Sequence, residues 1–275
     1  MTVQWLVRSI TARAKLPETT QERTIMMKSK HYLHGGAGLL LLLAAWQLGA
    51  WLLAQTLPLA NLLAPAAALG SLNTLIADGT LWPHIWASLQ RVAVGLLCAL
   101  AAGVPLGFAL GLSPRAEQTL NPPFQFLRMI SPLSWMPVAV MLFGIGDAPV
   151  YFLLAFAAVW PLMLNTASGV RHINAQWLEL GRSLSATKSE MLLKIMLPAV
   201  VGDILNGLRL AIGIVWVVLV PCEMLGVNEG LGYFILDTRD RLAYSELMAA
   251  IVLIGIIGWG LDAAARALGR WWRHG

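Results

Sequence analysis

The sequence predicts an all-α membrane protein, a polytopic bundle of six transmembrane helices. Three observations predict it. Of the 275 residues 58% are hydrophobic and only 12% are charged, about half the charged share of an ordinary soluble domain. Apolar runs long enough to cross a bilayer recur at about 35–57, 84–112, 122–145, 148–170, 200–225 and 244–268. The basic residues divide unevenly among the segments that join those runs. The same composition excludes a disordered chain, which needs low hydrophobicity and high charge.

The elements follow in chain order. Residues 1–34 are polar and basic, with Val3, Leu6, Val7, Ile10 and Ala14 at helical spacing. An interfacial amphipathic helix and a disordered tail both fit that pattern. The run at 35–57 starts too late and is too long for the apolar core of a cleavable signal peptide, so it reads as the first transmembrane helix. Residues 58–83 form a periplasmic segment with a Pro-flanked amphipathic stretch at 64–79, and 84–270 a core of five further helices. Residues 271–275 are a short tail. In the second run Gly103, Gly107 and Gly111 make a double G-x-x-x-G ladder, a face that another helix can approach closely. Pro105, Pro122, Pro123, Pro132, Pro137 and Pro221 are placed to kink or end helices.

Orientation comes from charge. The N-terminal tail, Arg115, the 171–199 loop and the C-terminal end carry 14 of the 19 Lys and Arg residues. The opposite side holds only Arg239 and Arg241, and Arg91, Arg128 and Arg209 lie within runs. The positive-inside bias therefore places both termini and the 171–199 loop in the cytoplasm. The net charge of +5 is thereby accounted for without nucleic acid.

Several chemistries are missing. Cys98 and Cys222 sit in apolar runs and read as small buried hydrophobes. His31, His34, His84, His172 and His274 are too scattered for a zinc site, so no metal is expected. Thr187-Lys188-Ser189 lacks the glycine that a phosphate-binding loop places before its lysine. Neither a G-x-S-x-G elbow nor an H-E-x-x-H helix occurs, and no catalytic residue is assigned. Any energy source for transport would have to be an ion gradient or a second protein. Few ionisable groups lie deep in the runs, which weighs against an ion-coupled secondary carrier, the alternative from another class.

The loop between the fourth and fifth runs is the most informative segment. WLELGRSLSATKSEMLLKIMLP, residues 177–198, reads as a helix, a Ser-rich turn at 183–187, and a second helix stopped before Pro198. Trp177, Leu178, Leu184, Leu192, Leu193 and Ile195 give it apolar ridges. Such a hairpin fits a groove on a partner or the surface of its own bundle, and the pattern alone favours neither.

Within 172–198 the loop resembles the EAA motif of permease subunits of ATP-binding-cassette importers: Glu-Ala-Ala, three residues, Gly, nine residues, Ile-x-Leu-Pro. Glu179 takes the first place, and Leu180 and Gly181 stand for the alanines. Ser185 replaces the glycine, and Ile195, Leu197 and Pro198 fall on the closing positions. The stretches LWPHIWASLQRVAVG (81–95), GVPLGFALGLSP (103–114) and RMISPLSWMPVAVMLFGIG (128–146) are similar to the nitrate, cyanate, bicarbonate, sulfonate and taurine branch. So are WPLMLNTASGVRHI (160–173), GLRLAIGIVW (207–216) and EMLGVNEGLGYFILDTRD (223–240). Leu-Asn-Thr-Ala-Ser-Gly-Val-Arg and Glu-Met-Leu-Gly-Val look closer to the nitrate-type permeases, which also tend to lack the turn glycine.

The resemblance implies the fold of a type I importer permease in the bacterial cytoplasmic membrane, carrying a small anion, with sulfonate or taurine as the alternative cargo. It implies a second permease copy, two ATPase subunits that hold ATP and magnesium, and a periplasmic or lipid-anchored solute-binding protein. This chain itself would bind no cofactor. Glu179, Arg182, Ser185 and Lys188 would form the docking surface, with Leu197 and Pro198 anchoring the hairpin to the fifth span. Arg91, Arg209, Trp216 and Glu223 are the candidates for the translocation pathway. For Glu223 a structural role, accepting a hydrogen bond from a loop amide, competes with solute contact, and Arg91 and Arg209 also fit as snorkelling anchors. Segment 64–79 and the 226–244 loop, with Gly226, Gly230 and Gly232, would face the solute-binding protein.

Overall fold

The computed structural model describes residues 36–274. The expected surface helix at 1–34 lies outside them. Among the described residues every regular element is helical. The chain divides into two compact units between Ala67 and Ala68.

In the first unit α1, Gly36–Ala54, is apolar on every face and almost wholly exposed, the composition of a helix solvated by lipid. A short 3₁₀ turn, Pro58–Leu63, follows. The indole N–H of Trp46 donates to the Leu63 carbonyl at 2.9 Å and folds this turn back on α1. Then comes α2, Pro65–Ala77, of which all but the first three residues belong to the second unit.

The second unit is built around α3, Leu81–Leu112, and α6, Asp147–Arg171. Gly95, Gly103, Gly107 and Gly111 of α3 face Leu154, Leu162, Thr166 and Val170 of α6, each with the same offset of 59 residues. A constant positive offset means that the two helices run parallel. A methyl added at Gly107 would lie 2.6 Å from Thr166 Cβ and 2.7 Å from the Met163 carbonyl oxygen. The four-residue spacing of small side chains therefore buries backbone against backbone.

Because α3 and α6 are parallel, the chain between them must return to its starting end. It does so in two pieces, α4, Pro114–Met129, and α5, Met136–Phe143. A 3₁₀ turn at Pro132–Trp135 joins them, and the two halves bend by 88°. The run expected to span at 122–145 is thus the second part of a bent pair that starts earlier, and Pro132 lies at the break, among the prolines expected to kink or end helices. The crossing begins at Pro114, capped by the Ser113 side chain, and breaks at Ile130–Ser131, where Pro132 disfavours helical backbone in the residue before it. Among the described residues five helices are long and apolar enough to span, or six with the bent pair taken as one span.

After α6 comes α7, Ala175–Ser183, then α8, which runs continuously through Lys188–Gly226. The helix expected to stop before Pro198 does not stop. Met191–Met196 form a π turn, with Leu197 N–H bonded to Leu192 O. The wider turn arises where Pro198 removes the N–H that would have bonded to the Lys194 carbonyl. Two helices complete the unit, α9, Leu231–Asp240, and α10, Tyr244–His274. Packing against α6 puts Gly207 beside Pro161 and Gly169 beside Asp203, so α8 is antiparallel to α6. The unit thus has two ends: the hairpin end, with Arg171 and α7, and the far end, with Asp147, Glu223 and α9.

Candidate functional site

The hairpin is assembled by caps. The Asn174 side chain accepts from Gln176 N–H at 2.9 Å and starts α7. At its other end Ser185 N–H bonds to Arg182 O and Ala186 N–H to Gly181 O, both at 3.0 Å. That six-to-one, five-to-two pair ends a helix with one residue in left-handed backbone, and Ser185 has φ 54°. The residue standing where the motif has glycine therefore adopts the conformation that glycine adopts most cheaply. Thr187 and Glu190 then form a reciprocal capping box, readable in the sequence as T-x-x-E, and restart the chain as α8.

Gly181 is buried, and an added methyl would meet Ile195 Cδ1 at 2.6 Å and Met191 Cε at 2.8 Å. The small residue of the first motif half and the Ile of the second are thus in contact, and this contact closes the hairpin. Glu179, Arg182 and Lys188 are exposed. Trp177, Leu180 and Leu184 are 60%, 53% and 73% exposed. They line a cleft of about 610 Å³ with Gly181, Ile195 and Pro198. An uncovered apolar rim of this kind is what a partner surface buries.

The far end holds a closed ionic network. Both oxygens of Glu223, which is fully buried, accept hydrogen bonds. Ser88 Oγ lies 2.8 and 2.9 Å away, Arg91 Nη1 2.7 Å and Gly232 N–H 2.8 Å. Arg91 also donates to Asp147 Oδ1 at 2.8 Å and to the Glu229 carbonyl at 2.7 Å. Ser88 Oγ accepts from Leu231 N–H, and His84 Nδ1 from Gly230 N–H. Gly230, at φ 125°, leaves no room for a side chain, because a methyl there would lie 2.5 Å from Arg91 Nη1. The network ties the starts of α3 and α6 to the end of α8 and the turn before α9.

Arg91 and Glu223, two of the pathway candidates, are therefore bonded to each other inside one chain, and the amide that donates to Glu223 is that of Gly232, in the first turn of α9 rather than in a loop. Trp216 is nearly buried, and its indole N–H donates to Ile254 O at 3.2 Å. Arg209 stands on an exposed face, paired with Asp262 at 3.0 Å, beside a groove of about 520 Å³. Gly103, Gly107 and Gly111 lie in the α3–α6 seam. Sequence reasoning missed Ser88 and Asp147, which stand 135 and 76 positions from Glu223 and carry no local signal. It also missed the amide side chains of α4.

Spanning-length helices with a capped, uncovered hairpin at one end define a class, a multi-pass membrane protein. Residues 103–274 match the family described as "Binding-protein-dependent transport system inner membrane component", and the chain belongs to that family. It is 40% identical to the nitrate import permease protein NrtB of Leptolyngbya laminosa, over 68% of this chain and 66% of that protein. It is also 40% identical to the bicarbonate transport system permease protein CmpB of Synechococcus elongatus, over 70% and 69% respectively. Identity to the taurine transport system permease protein TauC of Escherichia coli is 34%, over 70% of each chain. The fold is that of the methionine ABC transporter MetNI in inward-facing conformations. One such chain superimposes with a TM-score of 0.60 at 16% identity, over 71% of this chain and 98% of that one.

Proposed function

We propose that this chain is the permease subunit of an ABC importer of a small anion, of the nitrate or bicarbonate kind, working beside a second permease copy. The carrying observation is the hairpin: it lies at one end of the bundle, is internally capped, and leaves Trp177, Leu180 and Leu184 uncovered. ATP and magnesium belong to two ATPase subunits, whose surfaces cover that ridge together with Glu179, Arg182, Ser185 and Lys188. The hairpin end faces the cytoplasm, as do both termini, and 14 of the 19 basic residues are then on that side. A solute-binding protein delivers the anion at the far end, against the 226–244 loop. Leu197 and Pro198 join the hairpin to α8, so that closure of the ATPase pair moves the spans. The relatives at 40% identity support an inorganic anion, and TauC at 34% supports a sulfonate as the second reading.

The test is reconstitution of the whole complex in liposomes. Nitrate or bicarbonate on the delivery protein should stimulate ATP hydrolysis, and Trp177→Ala should weaken ATPase binding at least tenfold, as loss of an exposed aromatic anchor does. Equal stimulation with and without the loaded delivery protein would overturn the reading.

A further inference from the structure

The polar groups of the far end are bonded to one another, whereas one face of α4 carries polar side chains that take no part in that network. Asn121, Gln125 and Arg128 stand at spacings of four and three, so they share that face, and they line a pocket of about 170 Å³ against Trp160 of α6. No residue of α4 is buried, and all three side chains are exposed. No carboxylate lines the pocket. Among the described residues no ion pair includes Arg128. The nearest acid along α4, Glu117, is paired with Arg171 at the hairpin end. Trp160 adds an indole N–H that is buried and has no acceptor.

Depth can be read from that same ion pair. Arg128 lies 11 residues beyond Glu117 and Trp160 lies 11 residues before Arg171, each about 16 Å along its helix. Both therefore stand near the middle of a hydrocarbon layer of about 30 Å. An arginine and two amides facing lipid at that depth are unfavourable, so such residues face a partner or a water-filled cavity. A donor-rich pocket with one uncompensated cation and no acid suits a small oxyanion. Its volume is several times the space that one water needs.

We infer that the α4–α6 pocket, with Arg128, Asn121, Gln125 and the Trp160 N–H, is a binding site for a small oxyanion on the translocation pathway at mid-membrane. This rests on the anion-import reading above and names the residues that would recognise the cargo. Arg128 supplies the charge, the amides fix orientation, and the indole donates one hydrogen bond into a dry wall.

The test uses the complete importer with Cys98 and Cys222 replaced by serine and Gln125→Cys introduced. An anionic water-soluble thiol reagent, a sulfonatoethyl methanethiosulfonate, should modify Cys at 125 at least tenfold faster than its trimethylammonium counterpart. Nitrate should slow the reaction, and Arg128→Gln should abolish the preference. In proteoliposomes Arg128→Gln and Trp160→Phe should raise the KM for nitrate uptake, the former about tenfold. Arg128→Lys, which keeps the charge, should keep most of the affinity. Modification only by a lipid-soluble maleimide would overturn the site, as would an unchanged KM in Arg128→Gln. The labelling needs no transport. Absence of ATP-driven uptake with anion-selective labelling intact would defeat the importer reading while supporting the pocket.

Discussion

The far-end network makes a sharp prediction for Glu223→Gln. The substitution keeps the shape and removes the charge. Ser88, Arg91 and Gly232 all aim donors at the two carboxylate oxygens, at 2.7–2.9 Å. A glutamine presents one oxygen and one NH₂ to those donors, so at least one contact becomes donor against donor. Arg91, only 4% exposed, is left with Asp147 as its sole carboxylate, and that side chain is half exposed. Breaking a buried pair on one side costs about 3–5 kcal/mol. At roughly 2–4 °C per kcal/mol for a chain of this size, the unfolding midpoint should fall by roughly 6–20 °C. The assay is thermal unfolding of the purified importer in detergent, followed by loss of the monodisperse peak. Arg91→Leu combined with Glu223→Leu should recover much of the loss, because a pair replaced by apolar groups leaves no stranded charge. A midpoint within about 2 °C of wild type for Glu223→Gln would refute the reasoning. A changed KM for the anion at unaltered stability would instead make Glu223 a solute contact.

Two further substitutions test the packing and the turn. Gly107→Ala should destabilise by about 1–3 kcal/mol, since its methyl meets backbone and Thr166. Gly213→Ala, inside α8 with nothing within 4 Å of an added methyl, should instead raise the same midpoint, by about 0.4–1 kcal/mol equivalent. Ser185→Gly should relieve left-handed strain of about 1 kcal/mol, part of it offset by glycine's larger entropy in the unfolded chain. The midpoint should then stay level or rise slightly, and solute-stimulated ATP hydrolysis should persist. Ser185→Val, which accepts that backbone poorly, should lower both.

Much of this architecture is legible in local pattern. The apolar runs mark the spans, the four-residue glycine spacing marks the α3–α6 seam, and the T-x-x-E box marks the restart after the hairpin. What escaped depends on information that is not local. The run at 122–145 averages as apolar, but an 88° break divides it, and Gln125 and Arg128 share with Asn121, just before the run, a polar face on the first half-helix alone. A window of hydropathy cannot separate them. Pro198 reads as a stop because a proline normally ends a helix; a π turn instead absorbs the missing N–H. Arg91 and Glu223 were each visible as charges within apolar runs. Their pairing across 132 positions is set by tertiary packing, and neither sequence neighbourhood announces it.

The length of α8 has a mechanical consequence. Its 39 residues run without interruption from the capped hairpin to the ionic network, about 58 Å of helix. A continuous helix transmits a push along its length; it tilts, slides or turns largely as one piece. Pivoting about one end, a tilt of about 5° would carry the other through roughly 5 Å over that length. The π turn, near the uncovered apolar ridge of the hairpin, is the wide winding in this helix, and so a natural place for it to give. A displacement imposed at the hairpin is therefore delivered to Glu223 geared by leverage, with compliance concentrated next to the point of application.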